Sequence, residues 1–277
     1  MRAISTRKLA WIGLYTALVA FAPFRLCGAD TAGWDATKKT EFLSTAKIVN
    51  VSAATKGITG SRRVTLSDGE TTHDAHVQTI NERRSSFQPA IGPPELNFRD
   101  TYMFNIAAWK LAVLLGIGDM LEPSVERKFG GSSAAYTWWV DNFMMDEDER
   151  LKKKMTAPDQ QAWNREQNVM LVFDQLIYNT DRNIGNSLID KNWRLWLIDH
   201  GRAFRLTKTL RNPGVLSYCD RNLLAKMKGL DEPGLRKELE PYVGLLEIQG
   251  LLARRDLIVK FFGAQGERFL YDRPARK

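Results

Sequence analysis

The chain has 277 residues, 44% of them hydrophobic and 26% charged, with a formal net charge of +8. That length and apolar content support one large folded unit, or a two-lobed one with a real core, and exclude disorder over most of the chain. A removable leader would carry away Arg2, Arg7, Lys8 and Arg25, and the remaining basic residues are interspersed with acids, so no nucleic-acid partner is expected.

Arg2, Arg7 and Lys8 precede an apolar stretch from Leu9 to Phe24, and Cys27 and Ala29 occupy the small-residue positions of a cleavage site. Residues 1–29 are therefore expected to be a signal peptide, with a mature start near Asp30 and a periplasmic or secreted destination. An uncleaved leader is the alternative and would bring contact with a membrane, although its apolar run is shorter than the roughly 20 residues of a comfortable span. After cleavage only Cys219 remains, so neither an intramolecular disulfide nor a two-cysteine metal site is expected.

Residues 30–141 are expected to form a sheet lobe. Ala46–Val51, Ser61–Leu66 and Thr71–Ile80 read as strands, the last two joined by an Asp-Gly turn in Ser67-Asp68-Gly69-Glu70. Lys56, Gly57, Gly60 and Ser61 lie between the first two strands. Backbone N–H groups and a lysine there could bind anions, and a plain hairpin is the other reading. Alternation places Asp74, His76 and Gln78 on one face of the third strand and His73, Ala75 and Val77 on the other, which turns His76 toward a cleft and argues against a zinc site. A loop rich in Ser, Pro and Gly, Arg84–Pro94, leads to a helix over Phe98–Leu115, stopped by Gly116. Pro123–Phe129 and Ala134–Val140 then complete a sheet of about five strands against that helix.

Residues 142–277 are expected to be mainly helical. Acids at 146–149 followed by lysines at 152–154 suggest an exposed helix or loop. A helix over Asp159–Tyr178 ends at the turn Asn179-Thr180-Asp181, and Ser187–Ile189 and Leu195–Ile198 form a short hairpin. Helices over Asn222–Lys228, Leu235–Leu239 and Glu247–Phe262 close the chain, with Arg254 and Arg255 on a charged face. Trp138, Trp139, Trp193 and Trp196 read as packing residues, and adenine contact near Val140 is the alternative for the first pair.

The chemistry is concentrated in Asn179-Thr180-Asp181-Arg182-Asn183-Ile184-Gly185-Asn186 and, after the hairpin, Ile198-Asp199-His200-Gly201. Phosphoryl transfer asks the protein for a carboxylate that orients the attacking hydroxyl and for hard oxygen ligands that hold a divalent cation on the phosphates. Asp181 suits the first task, Asn186 and Asp199 the second.

Asp-Arg-Asn-x-Gly-Asn with Ile-Asp-His-Gly resembles the paired motifs of the phosphoinositide kinases, and is similar to those of the HipA-like bacterial kinases and the Golgi casein kinase. The resemblance covers about Ala46 to Phe204. It implies a two-lobed protein-kinase-like α+β fold, ATP as co-substrate and magnesium or manganese. It also places Gln78 where the family has its phosphate-binding lysine, Asn105 where the glutamate partner of that lysine stands, and Asn183 where the family has a histidine. Both ends of the expected ion pair are neutral, and two amides can hydrogen-bond each other. The expected function is an exported phosphotransferase acting on a hydroxyl of protein, lipid or sugar. A pseudokinase binding module and a metal-dependent phosphoester hydrolase are the alternatives.

Overall fold

The computed structural model describes residues 31, 33–53, 61–89, 94–274 and 276. The expected leader and Lys56, Gly57 and Gly60 lie outside the described residues. The protein is α+β, with an antiparallel sheet lobe followed by a mainly helical C-terminal part.

A helix that the sequence reading did not include comes first. Asp35 accepts from the Lys38 N–H at 2.8 Å and caps α1 (Ala36–Thr45), which buries Phe42 and Leu43. Strands β1 (Lys47–Ala53), β2 (Arg62–Ser67) and β3 (Thr72–Gln78) follow. The turn between β2 and β3 forms as expected: Asp68 Oδ1 accepts from Thr71 N at 2.7 Å and Glu70 N at 2.9 Å, which holds its carboxyl below the usual range, and Gly69 takes a φ of 102°.

The segment read as a loop is instead a hairpin of β4 (Asn81–Phe87) and β5 (Glu95–Thr101), which pair only with each other. Asn-Glu-Arg-Arg-Ser-Ser-Phe has no apolar alternation because the ribbon has no core of its own. It is fixed by Phe87 stacked on Phe98 at 4.4 Å and by Arg202 and Arg205 over the Phe98 ring. Helix α2 therefore runs Met103–Leu114 rather than starting at Phe98.

Strands β6 (Ser124–Phe129) and β7 (Ser132–Trp138) complete a five-stranded sheet in the order β1-β2-β3-β7-β6. Its two faces are covered differently. Val64, Leu66, Ala75, Val77, Tyr136 and Trp138 pack on Phe42 and Leu43 of α1, while Ala135 meets Ile106 of α2 on the other side. Trp138 packs among Trp34, Phe42 and His73, the role expected of it.

In the C-terminal part, β8 (Phe143–Asp146), absent from the sequence reading, pairs with β9 (Ser187–Asp190), which pairs with β10 (Leu195–Leu197). Helix α3 (Glu147–Lys152) has no buried residue, and Lys152–Asp148 and Lys153–Glu149 pairs, each at 2.6 Å, run along it. Helix α4 (Gln160–Ile177) is capped by Asp159 and ended by Tyr178 in the left-handed region at φ 51°. Helices α5 (Arg221–Lys228), α6 (Glu232–Leu239) and α7 (Leu245–Gln265) surround it, with a two-residue parallel pair of β11 (Cys219–Asp220) and β12 (Leu270–Tyr271). Phe204 is buried, its ring centroid 5.3 Å from that of Phe104. No described helix is long and apolar enough to cross a membrane.

Arg254 is not on a charged face. It is fully buried and donates to the carbonyls of Leu176 at 2.7 Å, Arg205 at 2.9 Å and Thr207, tying α7 to the end of α4 and to the segment after Phe204. Burial brings its pKa down to about 10. A helix normally spends an arginine on solvent; here it replaces water for the carbonyls of Leu176 and Arg205, which would otherwise be buried unpaired. Arg254→Leu is therefore expected to lower the free energy of unfolding by about 3 kcal/mol or more, measured by urea denaturation; a loss under about 0.5 kcal/mol, the scale of an ordinary surface change, would contradict this role.

Candidate active site

The site is built outward from the end of α4. Asp174 lies on the buried face of that helix, and Arg182 reaches back to it from the following loop, Nε to Oδ2 at 2.9 Å. The same guanidinium donates through Nη1 to the carbonyls of Asn186 at 2.6 Å and Ile198 at 2.9 Å, and through Nη2 to His200 Nε2 at 3.0 Å. A guanidinium only donates, so His200 must present an unprotonated Nε2 to it. Burial and the neighbouring Arg182 cation hold His200 well below the ordinary histidine range. Asn179 completes the frame, its Nδ2 on Asp174 Oδ1 and its Oδ1 accepting from Asp181 N, both at 3.0 Å. One arginine thus fixes the backbone on both sides of the short hairpin that separates the two motifs.

This frame decides which atoms remain open. Asn186 Nδ2 donates to the Asp181 carbonyl at 3.0 Å, which leaves its Oδ1 as the free acceptor. The backbone N–H of Ile198 donates to the Asn186 carbonyl at 3.2 Å, so Asp199 follows directly from a residue bonded to Asn186. Asp199 takes a left-handed φ of 55°, is exposed, and its carboxylate has no hydrogen-bond partner among the described residues. The Asp181 carboxyl stands 3.6 Å from Arg202 Nη1; burial raises its pKa, opposed by Arg202 and reinforced by the Asp199 charge.

The sheet lobe meets this loop through an amide pair. His200 N donates to Asn105 Oδ1 at 2.7 Å, so the Asn105 amide must turn its Nδ2 away, and that nitrogen donates to Gln78 Oε1. The hydrogen bond expected between the two amides is therefore present, and it is tied to the residue after Asp199. Gln78 keeps its Nε2 as a donor. His76 lies on the Gln78 face; burial lowers its pKa while the Asp199 charge opposes that shift. Asp74, on the same face, is held by Arg63 and Thr65, both at 2.7 Å, whereas His73 stacks on Trp138 at 3.6 Å from the opposite face. Among the described residues no three His, Cys, Asp or Glu side chains come together as a metal cage. Asn186 Oδ1 and the Asp199 carboxylate offer hard oxygens suited to a magnesium or manganese ion that takes its other ligands from phosphate and water. Ser61, at the start of β2, is half-buried.

Asp100 is a site residue that sequence reasoning missed. A Cβ at Gly201 would come 2.7 Å from Asp100 Oδ1 and 3.6 Å from Asp199 Oδ1, so β5 and the Asp199 loop approach closely and a larger residue there would push the Asp100 carboxyl aside. Thr101 N donates to the Gly201 carbonyl at 3.0 Å across this junction. Burial and the Asp199 charge push the Asp100 carboxyl up to about 6, against the pull of Arg202. Its position in a hairpin with no apolar pattern hid it. Asp174 left a trace, as the one charged residue in the stretch Val172 to Ile177, which is apolar apart from it and Gln175.

No protein family model matches the chain, and no curated protein is significantly similar to it in sequence. Among solved structures, it is similar to the proinflammatory kinase CtkA of Helicobacter pylori, with 10% sequence identity and a TM-score of 0.48 over 78% of this chain and 92% of that one.

The Asp100 carboxyl gives the metal-free protein a specific pH dependence. Between about pH 4 and pH 6 the folded protein keeps a proton on Asp100 that the unfolded chain has released. Its contribution to stability is therefore present below that window and lost as pH rises through it. Urea midpoints measured across the window with a chelator present are expected to fall more steeply in the wild type than in Asp100→Asn; parallel profiles would show that Asp100 titrates normally.

Proposed function

We propose that the protein is an exported kinase-like phosphotransferase that moves the terminal phosphate of ATP, with magnesium or manganese, to a hydroxyl acceptor. The observation that carries this reading is the Arg182 frame, which spends the main-chain groups and the Asn186 amide nitrogen internally and leaves three oxygen-bearing groups open: the Asp181 carboxyl, Asn186 Oδ1 and the Asp199 carboxylate. Such a loop does for phosphoryl transfer what the chemistry asks, namely positioning and charge neutralisation rather than covalent work.

Asp181 orients the acceptor hydroxyl and takes its proton; burial raises its pKa, which makes it a stronger base than an ordinary aspartate. Asn186 and Asp199 would hold the cation, which supplies positive charge to the phosphates when bound. Gln78 Nε2 offers neutral N–H donors where a lysine would offer a full charge, so phosphate positioning rests more heavily on the metal side of the site. Arg202, bonded to Glu95 at 2.7 Å and 3.6 Å from the Asp181 carboxyl, puts a positive charge between the two acids.

The neutral Gln78–Asn105 pair also favours a second reading, a module that binds nucleotide and does not turn it over. One experiment separates the two. Thermal unfolding of the mature protein is expected to rise with ATP only when magnesium or manganese is present, by about 2.7 kcal/mol at 100 times the dissociation constant, and the shift is expected to vanish in Asp199→Ala. In Asp181→Asn the shift should persist while transfer of labelled phosphate to protein, lipid or sugar acceptors is lost. A shift without transfer in the wild type would support the binding module; no shift with any nucleotide and metal would sink both readings.

A further inference from the structure

A cavity of about 600 Å³, the size of a small-molecule site, opens where α1, the end of α2, β10, the start of α5 and the segment after β12 meet. None of Asp181, Asn186, Asp199 and Gln78 lines it. Its walls carry three cations, Lys39, Arg273 and Arg276, and three carboxylates, Asp119, Glu122 and Asp220. All six are held by the protein itself. Lys39 is on Glu122 at 2.8 Å, Arg273 on Asp119 and Arg276 on Glu166 at 2.8 Å, while Asp220 accepts from the backbone N–H groups of Leu223 and Arg273, both at 2.8 Å. A charged ligand would have to break one of these contacts, and a neutral ligand would not.

What the walls leave open is indole surface and hydrogen-bonding groups. Trp34, Trp109 and Trp196 all line the cavity and are half-buried. Trp34 and Trp196 already have a cation over the ring, Lys38 at 4.0 Å and Arg276 at 5.2 Å, whereas Trp109 makes no ring contact or side-chain hydrogen bond among the described residues. The amide of Asn222 on α5 has no hydrogen-bond partner among them either. The Arg273 side chain is only 9% exposed, yet its buried Nε has no partner, a costly state for a buried donor.

These open groups come from three different elements, α2, α5 and the segment after β12. An aliphatic ligand would leave Arg273 Nε unpaired. A flat heteroaromatic ring carries its acceptors only in its own plane. A sugar ring has C–H faces that lie on an indole and oxygens around its whole rim, and its hydroxyls both accept from Arg273 Nε and donate to Asn222 Oδ1.

We propose that this groove binds a neutral saccharide, with Trp109 against the sugar face and Arg273 Nε and the Asn222 amide on its oxygens. The proposal uses no residue of the phosphotransferase site and stands apart from that reading. Glucose, galactose, mannose, N-acetylglucosamine, maltose and cellobiose are titrated against the purified protein by calorimetry and tryptophan fluorescence, without nucleotide or metal. At least one of them is expected to bind saturably, with an affinity that salt does not change. That affinity is expected to fall about tenfold in Arg273→Lys, which keeps a cation for Asp119 and removes the Nε–H, and about tenfold in Trp109→Ala and Asn222→Ala. Because Asn222 is exposed, Asn222→Ala should keep the wild-type melting temperature. No binding of any of these sugars, or binding that is unchanged in Arg273→Lys and Asn222→Ala, would overturn the proposal. Tighter binding of adenine or indole than of every sugar would overturn it in favour of a flat-ring site.

Discussion

The contact between Arg182 and Asp174 is the interaction on which the rest of the site depends. A carboxylate on the inner face of α4 and a guanidinium from the next loop are both largely removed from water, a costly arrangement unless every donor and acceptor is used. They are used: the arginine's remaining donors go to two carbonyls and a histidine nitrogen, and the aspartate's second oxygen goes to Asn179. Removing either partner would strand the other and release both motifs at once. The pair therefore acts less as a source of stability than as a device that specifies one loop conformation.

From that frame the two parts of the molecule are joined by weak but directional contacts. Asn105 connects Gln78 in the sheet to the backbone N–H after Asp199, so α2 and β3 sense the position of that loop through amides rather than through a charge pair. A neutral pair avoids the desolvation penalty of a buried lysine and glutamate, and gives up the electrostatic pull a lysine exerts on phosphate. The β4–β5 hairpin adds a second connection. Glu95 holds Arg202 and Arg205, and Asp100 comes against Gly201, so the ribbon is packed on the loop that carries Asp199.

The sequence made the regular parts legible. Apolar spacing marked α4, Gly116 marked the end of α2, Asp-Gly marked the β2–β3 turn, and alternation set His76 and Gln78 on one face. The paired motifs singled out Asp181, Asn186 and Asp199, whose open oxygens follow from a frame no local pattern reveals. What stayed hidden depends on distant contacts. β4 and β5 are polar strands whose support comes from Arg202 and Arg205, more than a hundred residues away. Arg254 reads as a surface residue because the carbonyls it serves lie 47 to 78 residues earlier. α1 has a short apolar face that becomes informative only once the sheet it covers is known.

The most direct test of the account is binding of manganese, followed by electron paramagnetic resonance on the purified protein with and without ATP. Two protein oxygens and the phosphates are held to share one ion, so protein-bound manganese should form with ATP present, bind far more weakly without it, and be lost in both Asn186→Ala and Asp199→Ala. Manganese bound as tightly without nucleotide, or retained by either variant, would contradict the assignment of the Asn186–Asp199 pair as a nucleotide-dependent metal site.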